Sequence, residues 1–126
     1  MTTQKENDVQ DERSMILQNA LQEYIKLLKE SSYFEAHEVL EKAWHPLRKA
    51  GHPLKDLVKG LINGAISFEH LKRNRKNAFL KARKVIVSYE RHKATAFCEI
   101  EHCELFREAC GMIEKLKTRY QEVFLT

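Results

Sequence analysis

A chain of 126 residues carrying 22 Lys and Arg against 18 Asp and Glu, a net charge of +4, fits a single domain. Four Gly and two Pro are too few for the frequent turns of an all-β protein, and the residues that lose least on entering a helix dominate instead. No run approaches the ~18 apolar residues of a membrane span, no apolar leader is expected, and Cys98, Cys103 and Cys110 lack the paired spacing of a zinc site, so a cytoplasmic, reducing setting with no membrane partner is expected.

Residues 1–12 are polar and expected to be disordered, with residues 13–126 forming a single helical domain. Ile16, Leu17, Ala20, Leu21, Tyr24, Leu27 and Leu28 recur at three- and four-residue steps and predict a first amphipathic helix. Ser31 and Ser32 break it, and Ser32 with Glu35 reads as a capping box for the next helix. That second helix is expected to stop near His45, ahead of Pro46, with Pro53 opening a third. Leu54, Leu57, Val58, Leu61, Ile62, Ala65 and Phe68 line one side of the third helix. Gly60, Gly64 and Ser67 line another, where a neighbouring helix could approach closely.

Asn74 or Asn77 is a cap for a fourth helix that turns Ala78, Phe79, Ala82, Val85, Ile86 and Tyr89 inward. HKATAFCEIE reads as a loop with a short helical turn. A last helix carries Phe106, Ala109, Cys110, Ile113, Leu116, Tyr120, Val123 and Phe124 almost to the end, with Cys103 and Cys110 as small core residues. Ala36, Leu40, Ala43 and Trp44 are echoed 42 residues later by Ala78, Ala82, Val85 and Ile86, suggesting two related helical hairpins. The expected fold is all-α, a compact bundle of about five helices built on two helical hairpins plus a long C-terminal helix.

The second helix holds the chemistry. Tyr33, Ala36, Leu40, Ala43 and Trp44 share one face, and His37 lies at its border. Glu41, four residues on, reaches the same point, while Glu38 and His45 lie further round. A His and a carboxylate so placed suit a metal-ligand pair or an oriented proton-transfer His, and equally an ordinary side-chain hydrogen bond. HEVLE differs from the zinc-protease helix because Glu41 stands where the second His must be. Glu99 and His102 make one E-x-x-H where a di-iron bundle needs two. On the third helix Lys59, Asn63, Ile66 and His70 form a second polar line. Packing of that helix on the second through Gly60 and Gly64 would assemble a pocket of His37, Glu38, Glu41, Trp44, Gly60, Asn63 and His70.

These residues resemble the bacterial domain of unknown function 309 family. The first block, Tyr33, Phe34, Glu35, Ala36, His37, Glu38, Leu40, Glu41 and Trp44, matches in full. The second is Gly60, Leu61, Ile62, Ala65 and His70, with Asn63 in place of the usual Gln. The following turn has Asn74 and Ala78 but Asn77 in place of Gly. The resemblance covers roughly residues 20–90. It implies an all-α bundle with a signature cluster at these positions, and it implies no activity.

Charge is unevenly spread. Residues 72–93 hold nine Lys and Arg against Glu90 alone, and Lys76, Arg83, Lys84 and Arg91 lie opposite the apolar stripe. Three functions follow as expectations. The leading one is a binding or interaction module using the His/Glu/Trp pocket, with a protein or small-molecule partner. The second is a metal-dependent hydrolase-like enzyme in which His37, Glu41 and His70 hold a divalent transition metal and Glu38 is the base. The third is anion or nucleic-acid binding through the 72–93 segment.

Overall fold

The computed structural model describes residues 2–125, with side chains from residue 11 onward. Helices α1 (Thr2–Lys29), α2 (Tyr33–Lys49), α3 (Lys55–Arg73) and α4 (Ala78–His92) follow one another. A 3₁₀ turn (Lys93–Phe97), α5 (Cys103–Arg119) and the short α6 (Gln121–Phe124) complete the chain. Among the described residues there is no strand. Each of α1 to α4 packs on the next, and α5 closes the bundle against α1 and α3. The all-α fold of paired helices with a long C-terminal helix is as the periodicity predicts.

The boundaries differ from expectation in instructive ways. α1 begins at Thr2, inside the polar stretch 1–12; the side chains of residues 1–10 lie outside the described ones. Its inward face is Leu17, Ala20, Leu21, Tyr24, Ile25 and Leu28. Ile16, one ~100° step behind Leu17, falls outside that stripe and is exposed.

α1 ends with Ser31 in the left-handed region (φ 60°), while the Ser32 N–H donates to the Leu27 carbonyl (2.9 Å) and the Ser31 N–H to Leu28 (3.1 Å). This is a Schellman closure. It consumes the Ser32 N–H that a capping box would offer Glu35, and Ser32 makes no side-chain cap bond.

α2 runs through Pro46 to Lys49 instead of stopping at His45. A proline inside a helix costs ~3 kcal/mol, and burial of Leu47 one residue later offsets part of it. The helix ends at Gly51 (φ 61°), where the His52 N–H reaches the Leu47 carbonyl (2.9 Å). α3 then begins at Lys55, after Leu54, not at Pro53.

Both glycines of α3 sit under tight contacts, with partners other than those expected. A Cβ at Gly60 would lie 3.0 Å from Tyr89 Cα and 3.2 Å from the Ser88 carbonyl oxygen, so Gly60 seats α4. At Gly64 it would lie 2.8 Å from Ile113 Cδ1, so Gly64 seats α5. Asn74 (φ 49°) closes α3 and Asn77 (φ 63°) precedes α4; neither caps through its side chain.

α4 buries Ala78, Ala82, Ile86 and Tyr89, while Phe79, expected inward, is exposed and Val85 is half-buried. α5 buries Phe106, Ala109, Cys110, Ile113 and Leu116, and Cys103 is half-buried. The last helix breaks at Tyr120 (φ −112°, ψ 45°) instead of running on. The break lays Tyr120 and Phe124 over Phe68, with ring centroids at 6.2 and 5.6 Å.

Candidate functional site

Phe34, His37, Glu41, Trp44 and Arg48 recur at three- and four-residue steps, so they form one edge of α2. This edge runs beside α3. At one end Phe34, exposed, lies under the Arg73 guanidinium at 5.5 Å, and Glu69 holds that guanidinium at 2.7 Å. At the other end the half-buried Trp44 indole carries Lys59 Nζ at 4.3 Å and Arg48 at 5.5 Å. Each ring thus takes a cation from α3, an electrostatic attraction of about 0.5–1 kcal/mol at exposed sites. The two contacts put residue 34 opposite residue 73 and residue 44 opposite residue 59, an antiparallel pairing.

Between the rings lies the His37–Glu41 pair. His37 Nδ1 donates to the Phe34 carbonyl at 2.5 Å, and the imidazole meets the Phe34 ring edge-to-face at 4.9 Å. A carbonyl only accepts, so the proton is fixed on Nδ1 and the ring orientation with it. Nε2 faces Glu41 Oε2 at 3.5 Å. On a neutral ring both of these atoms are acceptors. The gap is therefore closed either by an imidazolium paired with the carboxylate or by a donor that enters from outside. The His37 side chain is 16% exposed and that of Glu41 40%, so the opening is on the Glu41 side.

Among the described residues no hydrogen bond or ion pair links the remaining expected site residues to this pair. Glu38 is exposed, one step round the helix. Gly60 belongs to the α3–α4 contact, because its open side faces Tyr89. Asn63 and His70 are half-buried on α3. Burial pushes the His70 pKa down, Lys81 and Arg73 push it the same way, and Glu69 opposes them. Its imidazolium is thereby disfavoured. Among the described residues no group of three or more His, Cys, Asp or Glu side chains is placed to hold a metal ion.

The basic face is also altered. Lys76, Lys84 and Arg91 are exposed, but Arg83 donates Nε–H to the Val123 carbonyl at 2.6 Å and pins α6. Leu80 and Val87 are exposed on α4 as well, so this is a mixed surface and not a purely cationic one.

Two polar clusters are assembled across elements. Ser14 contacts Glu101 and His102, the latter at 3.1 Å, tying α1 to the start of α5. Between α4, the 3₁₀ turn and α5, Lys117 meets Glu90 and Glu114, and Lys93 meets the same two carboxylates. Glu90–Lys93 and Glu114–Lys117 are each three residues apart and legible as helical pairs, but the contacts that join those pairs to each other, and Ser14 to His102, span too much chain for spacing to reveal.

Residues 21–82 match the family described as "Domain of unknown function (DUF309)", consistent with the resemblance carried by the Tyr33–Trp44 and Gly60–His70 blocks. The matched segment takes in the last third of α1, all of α2 and α3, and the start of α4. No curated protein and no solved structure matches the chain. Among the described residues no helix is long and apolar enough to cross a membrane.

Proposed function

We propose that this bundle is a binding module whose contact surface is the α2 edge from Phe34 to Trp44 together with Lys59 and Arg73 of α3. The observation that carries the reading is the His37–Glu41 gap, an acceptor pair 3.5 Å apart with its ring orientation already set. A protein or small-molecule ligand bringing an N–H donor or a cation would bridge the two atoms, and the flanking Phe34 and Trp44 rings would cover its apolar part. Three cysteines without a disulfide support a reducing, cytoplasmic setting.

The test is affinity capture from cell lysate with wild-type, Glu41→Gln and Trp44→Ala baits, read by quantitative mass spectrometry. A partner retained by wild type and lost by both folded variants is the expected result. If nothing retained depends on either residue, the reading fails.

The metal-assisted alternative requires His70 to join His37 and Glu41 around a divalent transition metal, with Glu38 as base. Elemental analysis of untagged protein purified without chelator decides it. One metal per chain, lost on His37→Ala, would put the enzyme first.

A further inference from the structure

The bundle's four glycines divide unequally. Gly51 occupies a positive-φ turn, and Gly60 and Gly64 accommodate close neighbours. Gly111, in the middle of α5, meets no neighbour: a Cβ built there has no atom beyond its own stretch of helix within 4 Å. Glycine inside a helix lowers its stability relative to alanine, and no intramolecular contact accounts for this one.

Gly111 floors a groove of about 430 Å³ between the 3₁₀ turn and α5. Tyr89, Ala94, Phe97 and Cys110 contribute its walls. Phe97 is 66% exposed, the most exposed large apolar side chain among the described residues. Its ring is backed by the Arg107 guanidinium at 5.7 Å, and Arg107 is held in place by its Nε–H donated to the Ala96 carbonyl at 3.0 Å. Burial pushes the Cys110 thiol up to about 11 and the Tyr89 phenol up as well, so both wall groups stay uncharged at neutral pH.

The charges around the groove decide what it would accept. Glu114 is at its edge, but that carboxylate takes the Tyr89 hydroxyl at 2.5 Å, Lys117 at 3.1 Å and Lys93 at 3.5 Å. Lys93 and Lys117 are likewise shared between Glu90 and Glu114, so two cations and two carboxylates cancel. Arg107 has no carboxylate partner among the described residues and leaves one positive charge at the rim.

We propose that this groove binds a small amphipathic anion: an aromatic or branched apolar body lying between Phe97 and Gly111, with a carboxylate, sulfonate or phosphate on Arg107. The volume falls in the range of small-molecule sites, and apolar walls with one convergent charge are their usual make-up. Guanidinium is the side chain best suited to a planar or tetrahedral oxyanion. This site is separate from the α2 edge and stands or falls without it.

The probe is 1-anilinonaphthalene-8-sulfonate, titrated into the folded full chain and followed by its fluorescence, with melting temperature recorded alongside. Saturable one-site binding is expected. Gly111→Leu should abolish it without lowering the melting temperature, since the added side chain meets no protein atom at its root. Arg107→Gln should weaken it about tenfold, the scale of one charge-assisted contact. N-phenyl-1-naphthylamine, which lacks the sulfonate, should bind more weakly and ignore Arg107→Gln. Absence of saturable binding, or binding unchanged by Gly111→Leu, would overturn the proposal. Equal affinity for the charged and uncharged probes would overturn the assignment of an anion.

Discussion

Lys59 Nζ stands 4.3 Å above the Trp44 indole, joining α3 to α2 at one end of the edge that Arg73 and Phe34 close at the other. The contact is between helices and involves a half-buried ring, so it contributes to the α2–α3 seam as well as shaping a surface. A double-mutant cycle with Lys59→Met and Trp44→Leu, measured by urea unfolding, should give a coupling energy of about 0.5–1 kcal/mol. A coupling indistinguishable from zero would make the stacking incidental.

The three helical glycines should respond in opposite directions to the same substitution. Gly60→Ala drives a Cβ against the α4 backbone at Tyr89 and Ser88, which cannot move alone, and should destabilise by about 1–3 kcal/mol. Gly64→Ala meets only the tip of the Ile113 side chain and should cost less, because a rotamer change relieves it. Gly111→Ala meets nothing and should stabilise by up to about 1 kcal/mol through helix propensity. Unfolding midpoints of the three variants test the order.

His70 should make the fold acid-sensitive. Burial first, then Lys81 and Arg73, lower its pKa in the folded protein, against Glu69. The unfolded chain then takes up its proton near the ordinary ~6.5, before the folded one does. Stability therefore falls as pH drops from about 6.5 through the lower folded value, and levels off below it. His70→Gln should flatten that part of the stability–pH curve. A variant curve parallel to wild type would mean that another group titrates there.

Arg83 should matter more to the C-terminus than to any anion. Its Nε–H on the Val123 carbonyl holds α6, which is only four residues long and has little cohesion of its own. Arg83→Met should destabilise by about 1 kcal/mol and speed amide hydrogen exchange in residues 121–125 ahead of the rest. Unchanged exchange there would return Arg83 to the basic face.

The helices and most of their inward faces were legible because helical periodicity is a local property. A stripe such as Leu57, Leu61, Ala65 and Phe68 needs only the ~100° step to declare itself. The His37–Glu41 pair was legible for the same reason, being four residues apart on one helix. Residues at the margin of a stripe were misread: Ile16 and Phe79 are apolar and near the right phase, yet no neighbour covers them. Helix ends were misread where a competing bond decided them, as when the Ser32 N–H goes back to Leu27.

The sequence by itself determined that this protein is an all-α bundle, where its apolar stripes run, and that one edge of α2 carries His37, Glu41 and Trp44 in a pattern resembling that of the matched family. Tertiary structure alone decided which helix each small residue receives. Gly60 and Gly64 announce close approach, but a missing side chain carries no information about the neighbour that fills the space. It likewise decided that Lys59 and Arg73 cover the rings of α2. Those pairings depend on how two helices are rotated against each other, and that rotation is set by the packing of the whole core.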